Sequence, residues 1–136
     1  MEQTRKMTAS AEDYLEAIFI LSRKENDARV RVTDLASFLG VSKPSVTHAV
    51  GVLKEKGFLE HEAYGGIRLT PSGESCAANV LRQHNMIKQF LVHTLGVSEE
   101  NAESDACRME HILSAETVEK MYAYLEAQTL QTGETV

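Results

Sequence analysis

The stretch Thr33-Asp-Leu-Ala-Ser-Phe-Leu-Gly-Val-Ser-Lys-Pro-Ser-Val-Thr-His-Ala-Val-Gly-Val-Leu-Lys-Glu-Lys-Gly57 decides the reading of this chain. Its first seven residues predict a short helix capped by Thr33 and stopped by Gly40, since glycine suits the left-handed residue that ends many helices. Val41 and Ser42 make a tight turn. A second helix then runs from Lys43 to Lys56, with Val46, Val50 and Leu53 at the i, i+4, i+7 spacing of one buried face and Gly57 as its stop. A short helix, a glycine-containing turn and a longer helix opened by a serine form the helix-turn-helix pattern, in which the second helix reads DNA.

Working outward, Tyr14, Leu15, Ile18 and Leu21 predict an amphipathic first helix from about Ser10 to Glu25-Asn-Asp27. Val30-Arg-Val32 reads as extended. The run from Phe58 to Leu69 contains two strand-like pieces around Gly65 and Gly66, the signal of a hairpin wing. Thr70 is a cap followed by Pro71 at the first helical position, so a long helix is expected from Pro71 to about Leu95, stopped at Gly96. Ser98 caps another to about Leu113, and Ala115 to Gln128 forms the last, leaving a polar tail from Thr129 to Val136 that is expected to fray. The expected fold is mainly α: an N-terminal winged helix-turn-helix domain at 1–72 and a C-terminal helical metal-binding and dimerisation domain at 73–136. Met109, Ile112, Leu113, Val118, Met121, Tyr122 and Leu125 exceed what so small a domain needs for itself, which points to a homodimer.

The chain has 136 residues, 43% of them apolar and 25% charged, as folded domains do. No apolar run is long enough to cross a bilayer, and the start lacks the apolar core of a secretory signal, so a cytoplasmic protein without membrane contact is expected. The two cysteines, Cys76 and Cys107, are read as thiols. A net charge of −6 argues against nucleic acid until its distribution is seen. From Arg29 to Arg68 six bases face four acids, a net of +2, and the remainder must carry −8. A weakly basic reading head on an acidic body follows, with some acids open to balance by cations.

In the head, Ser42, Lys43, Pro44, Ser45, Thr47 and His48 stand at the start of the reading helix, where small hydroxyls and one ammonium suit base edges and phosphates. Helix starts favour Ser and Thr for capping alone, which does not account for Thr47 or His48. Tyr64 and Arg68 on the wing are candidates for backbone or minor-groove contact, an exposed Arg being more often merely solvated. In the second half, Cys107, Glu110 and His111 lie at i, i+3, i+4 and are expected on one face of a helix. Asp13 and Glu16 share the i, i+3 relation on the first helix, and His84 sits midway along the fourth. Thiolate, imidazole and carboxylates from three helices make a transition-metal site. Singly each has a plainer reading: Asp13 as a helix-dipole partner, Glu16 and Glu110 as solvated acids, His84 as a partly buried surface histidine, Cys107 as a small core residue.

The order winged helix, long helix with His84, then Cys107-Arg-Met-Glu-His111-Ile-Leu-Ser114, together with Asp13-Tyr-Leu-Glu16 and Val41-Ser-Lys-Pro-Ser-Val-Thr47, resembles the diphtheria-toxin-repressor family of iron- and manganese-dependent regulators from about Thr8 to about Gln128. The resemblance implies a homodimer whose two reading helices reach successive major grooves of a palindromic operator once metal binds. It also implies a repressor of metal-uptake genes, with Asp13, Glu16, His84, Cys107, Glu110 and His111 as metal ligands. Asp13 and Glu16 look like the manganese subgroup, whereas Cys107 looks like the iron subgroup. Mn(II) or Fe(II) is therefore expected, with Co(II) or Zn(II) as in-vitro substitutes. The iron subgroup's ancillary site wants a carboxylate one turn after the helix-four histidine; Lys88 stands there instead, which puts that site in question. The chain resembles the short architecture without an SH3-like third domain.

Two other classes compete. A winged-helix regulator that senses a small organic ligand, or a constitutive DNA-binding dimer, would show no metal dependence of operator binding. A metalloenzyme would use an open metal position to activate water, but the sequence has no nucleophile motif or phosphate loop, so an enzyme is not expected.

Overall fold

The computed structural model describes residues 9–25, 29–62 and 65–132, and α-helix dominates it. Helix α1 spans Ala9–Glu25, α2 Val32–Leu39 and α3 Lys43–Glu55; strands β1 Leu59–Glu62 and β2 Gly66–Leu69 follow, then α4 Pro71–Gln89, α5 Glu99–Met109 and α6 Ala115–Thr132. Chain contacts divide into two compact units, 1–79 and 80–136, so the division falls inside α4.

In the first unit α1 packs on α2, α3 and β2. Tyr14, Leu15 and Ile18 from α1 meet Leu35 and Ala36 of α2, Val46, Val50 and Leu53 of α3, and Leu59, Ile67 and Leu69 of the hairpin in one core. The fully buried Leu15, Ile18, Leu35 and Leu53 each contribute roughly 2 kcal/mol by leaving water. The helical spacing in the reading helix therefore marks the core face as expected. The hairpin is antiparallel with Leu59 opposite Leu69 and His61 opposite Ile67. Its turn is clamped by Arg29, whose Nη1 donates to the Gly65 carbonyl at 2.6 Å.

Two local expectations are corrected here. Thr33 does not cap α2: the helix begins at Val32 with Arg31 as N-cap and no side-chain cap bond. The reason is tertiary, because Val30 exchanges two backbone bonds with Ile67, at 2.9 and 2.7 Å, and the chain turns into helix as soon as that bridge is made. The last helix continues to Thr132 rather than stopping at Gln128, with the Thr129 hydroxyl donating to the Leu125 carbonyl, and the rest of the expected frayed tail, 133–136, lies outside the described residues. The caps at Ser42, Thr70 and Ser98 form as expected: each hydroxyl accepts from the amide three residues on, at 3.2, 3.1 and 3.2 Å. Gly40, Gly57 and Gly96 take positive φ at the helix ends.

Gly73, in the first turn of α4, carries a constraint invisible in the sequence. It is buried beneath Phe58, and a Cβ there would be driven into the Phe58 carbonyl oxygen. That oxygen already accepts from the Thr70 amide at 3.1 Å, so the wing and α4 are locked by one backbone junction.

In the second unit the helical run continues past α4 as one π-helical turn, Phe90–Thr94. Met86, Ile87, Leu91, Ala102, Ala106, Met121 and Leu125 form the core. This corrects the expected apolar surplus. Met121 and Leu125 are buried, and Met109, Leu113, Val118 and Tyr122 pack against that core, leaving only Ile112 of the seven open, at 76% exposure. The large apolar side chains exposed in this unit, among the described residues, are Leu95, Ile112, Tyr124 and Leu130.

Candidate metal centre and nucleic-acid interface

At the start of α3, Ser42, Lys43, Pro44, Ser45, Thr47 and His48 are all exposed, because Val46 and Val50 turn the opposite face into the core. Ser42 and Ser45 are engaged with each other: the Ser42 hydroxyl accepts from the Ser45 amide and lies 3.0 Å from the Ser45 hydroxyl. Thr47 and His48 have no capping duty. Arg68 is exposed on β2, while Tyr64 lies outside the described residues. Lys54, at the other end of α3, donates to the His61 carbonyl at 3.1 Å and ties the helix to the wing. Arg29 and Lys54 were legible only as positive charge, yet both act as clamps within the head.

The second unit gathers a donor set. His84 of α4, Cys107 of α5 and Glu110 just beyond α5 place one nitrogen, one sulfur and one oxygen within 4.8 Å of one another. His84 and Glu110 are each only 6% exposed, so the readings of surface histidine and solvated acid both fail. Cys107 is exposed at the edge of the set and is not a core residue. The expected continuous helix through Glu110 and His111 is corrected: α5 ends at Met109, Glu110 is its C-cap, and His111 lies in the following turn. There the Ile112 amide bonds the Met109 carbonyl at 3.1 Å, three residues back, which tightens the chain toward the Ser114 cap of α6. Gln83 donates to the Glu110 carbonyl at 2.9 Å and holds this break against α4.

Both ring nitrogens of His84 are occupied: Nδ1 lies 3.0 Å from Glu110 Oε1 and Nε2 lies 3.0 Å from Glu103 Oε2. The hydrogen bond to Glu110, opposed by burial and reinforced by Glu103, lifts the His84 pKa to about 9, which favours the protonated imidazole at neutral pH. Burial raises the Glu103 pKa, but the bonds from His84 and Lys88 outweigh it and the net shift is downward. Lys88 Nζ stands 3.2 Å from Glu103 Oε1 and 3.5 Å from Glu99 Oε1, and its pKa is raised, chiefly by the bond to Glu103. Glu103 was not singled out from the sequence. The signal that would have found it is its place one turn before Cys107 on the same helix.

The donor set fits a divalent transition ion on the evidence of its own atoms. Glu110 Oε2 is buried and makes no hydrogen bond among the described residues, with His111 Nε2 at 3.4 Å as its neighbour. A buried carboxylate oxygen left without a bond is costly, and a cation satisfies it. Imidazole, thiolate and carboxylate together suit Mn(II), Fe(II), Co(II) or Zn(II) in decreasing order of hardness. In the first unit Asp13 and Glu16 stand half-buried on α1. The other cysteine, Cys76, is a half-buried free thiol whose pKa is raised by burial and by the charge of Glu12, which keeps it out of thiolate chemistry.

Sequence models of two domains match this chain in tandem: the iron dependent repressor N-terminal DNA-binding domain over residues 6–67, and the iron dependent repressor metal-binding and dimerisation domain over residues 70–130. The chain belongs to the diphtheria-toxin-repressor family. As a member of that family it is a metal-dependent, DNA-binding transcriptional regulator and not an enzyme. An uncharacterised HTH-type transcriptional regulator of Methanocaldococcus jannaschii is 39% identical over 120 residues, 88% of this chain and 95% of that one. The transcriptional regulator MntR of Lysinibacillus sphaericus is 37% identical over 114 residues, 84% of this chain and 80% of its own. Among solved structures, a manganese-dependent transcriptional repressor in complex with manganese superposes with a TM-score of 0.75 at 29% identity, covering 85% of this chain and 52% of that one. The manganese regulator SloR gives 0.74, also at 29% identity, over 85% and 53%. This chain thus spans about half the length of those two structures. No helix among the described residues is long and apolar enough to cross a membrane.

Proposed function

We propose that this regulator is a repressor of metal-uptake genes, activated by Mn(II) or Fe(II), that binds palindromic operator DNA as a homodimer. The observation that carries the reading is the donor set of buried His84, buried Glu110 and exposed Cys107, with no hydrogen bond to Glu110 Oε2 among the described residues. The manganese-named relatives support manganese, while Cys107 favours a softer ion. The resemblance adds Asp13, Glu16 and His111 to the ligands. The reading head is 1–72, contacting DNA through Ser42, Lys43, Pro44, Ser45, Thr47, His48, Tyr64 and Arg68, and the metal and dimerisation domain is 73–136.

A bound divalent ion would supply a positive centre shared by several donors. Ligands on α1 and ligands between α4 and α6 would then restrain the reading head against the dimer body. This raises the fraction of dimers whose two reading helices stand about 34 Å apart, as successive major grooves require. Coupling of roughly 1–3 kcal/mol is typical of such switches. Among the described residues of the second unit, Leu95, Ile112, Tyr124 and Leu130 are the large apolar side chains exposed to a second copy.

Titrating operator binding with manganese, ferrous iron, cobalt and zinc under anaerobic conditions tests the reading. Metal-dependent affinity is expected with each ion, strongest for manganese or ferrous iron. Equal operator binding with a chelator present would overturn it. Sedimentation of the full chain at micromolar concentration should give a dimer.

A further inference from the structure

We infer that Thr70 is a positioning residue whose hydroxyl fastens the end of the reading helix to the start of α4, so that metal capture by α4 orients α3. The inference rests on the reading of His84, which stands on α4, as a metal ligand. Every polar function of Thr70 is committed. Its amide donates to the Phe58 carbonyl at 3.1 Å, and its carbonyl accepts from the Glu74 amide at 2.8 Å. Its hydroxyl donates to the Gly57 carbonyl at 2.8 Å and accepts from the Gly73 amide at 3.1 Å. A single oxygen thus joins the residue that stops α3 to the first turn of α4.

Both ends of this link are held. On the α3 side, the Gly57 amide bonds the Lys54 carbonyl and the Phe58 amide bonds the Leu53 carbonyl, each at 3.0 Å. Leu53 is buried in the core, so the Gly57 carbonyl moves only with the last turn of α3. On the α4 side, Ala77 is buried in the core of the head and Cys76 packs against it, so the first turns of α4 belong to the head. Apolar packing is non-directional, so Ala77 keeps α4 close without fixing how the helix is turned. Hydrogen bonds are directional and do fix it. The bond from the Thr70 amide to Phe58 alone is a pivot, and the second bond, from the hydroxyl to Gly57, removes the rotation about it. From there α4 runs unbroken from Pro71 to Gln89 and carries His84 fourteen residues after Thr70. Each turn of an α-helix is bonded to the next, so a rotation imposed at His84 is carried back to Thr70.

The test is a coupling factor, the ratio of the full chain's Mn(II) affinities with and without a DNA duplex selected from a random pool by the Mn(II)-loaded wild type. Linkage is reciprocal, so this ratio equals the factor by which Mn(II) tightens DNA binding. Thr70→Val keeps the side-chain shape and removes the hydroxyl. It should lower the factor roughly two- to tenfold, the range that one net hydrogen bond supplies, while Mn(II) affinity without DNA stays at the wild-type value. Thr70→Ser keeps the hydroxyl and should restore the factor. A hydroxyl that served only as a helix cap would lower the urea midpoint of Thr70→Val and leave the factor at its wild-type value; that result overturns the inference, as does a Thr70→Ser protein that behaves like Thr70→Val. Hydrogen exchange gives a second reading on the wild type itself. Mn(II) should slow exchange of the Gly73 amide more than that of the Gly40 amide, which bonds the Ala36 carbonyl at the end of α2, and equal slowing overturns the inference. Absence of any coupling in wild type would overturn metal activation and the inference together.

Discussion

The reading helix and the donor set handle their polar residues in opposite ways. On α3 the candidate DNA contacts are what remains once Val46, Val50 and Leu53 have been committed to the core, so they point outward. Around α4 and α5 two of the candidate ligands lie inside: His84 and Glu110 are buried and bonded to each other, and Glu110 stands where α5 stops. A surface that meets a large polyanion needs exposure and few internal bonds, whereas a site that captures a small cation needs converging donors held away from water. One chain therefore shows function as residue left over from folding in one region, and as residue that folding has to accommodate in the other.

The contrast can be broken most directly at Glu110. Glu110→Ala should abolish metal-stimulated operator binding while circular dichroism still reports a helical protein; a variant that keeps the full metal response would move the centre elsewhere. Next in size is Gly73→Ala, which is neither a DNA contact nor a metal ligand. The added methyl meets the Phe58 carbonyl, so the loss of stability in urea should be about 3 kcal/mol, and a change below about 0.5 kcal/mol, the range of ordinary surface substitutions, would show that the wing junction is not locked.

A smaller shift is expected at Cys107, where the site meets solvent. Cys107→Glu should move ion preference toward manganese, because a carboxylate is a harder donor than a thiolate, and Cys107→Ser should raise the ferrous concentration needed for half-maximal operator binding. Identical midpoints and ion ranking in all three proteins would remove the sulfur from the site. The smallest effect should come from Lys43→Ala on the exposed start of α3. It is expected to weaken all DNA sequences alike and to lower the slope of log affinity against log salt by about 1, with the metal midpoint unchanged. A shifted metal midpoint would mean that the two regions are not separable.

Periodicity and punctuation determined most of the architecture from the sequence by itself. Val46, Val50 and Leu53, the caps at Ser42, Thr70 and Ser98, and the stops at Gly40, Gly57 and Gly96 stand where local rules place them, because helix spacing, capping and positive φ depend on residues only a few positions apart. Cys107, Glu110 and His111 were read as candidate ligands from the same kind of local spacing, although α5 ends at Met109. What tertiary structure alone decided involves partners far along the chain. The Val30–Ile67 bridge displaced the expected cap at Thr33, and Phe58 made Gly73 obligatory. The break of α5 at Glu110 is held by Gln83, 27 residues away, and Glu103 became the partner of His84 across 19 residues. Burial of His84 and Glu110, and the use of six of the seven supposedly surplus apolar side chains within the second unit, follow from packing. Packing depends on which surfaces the folded chain brings together, and no local spacing encodes that.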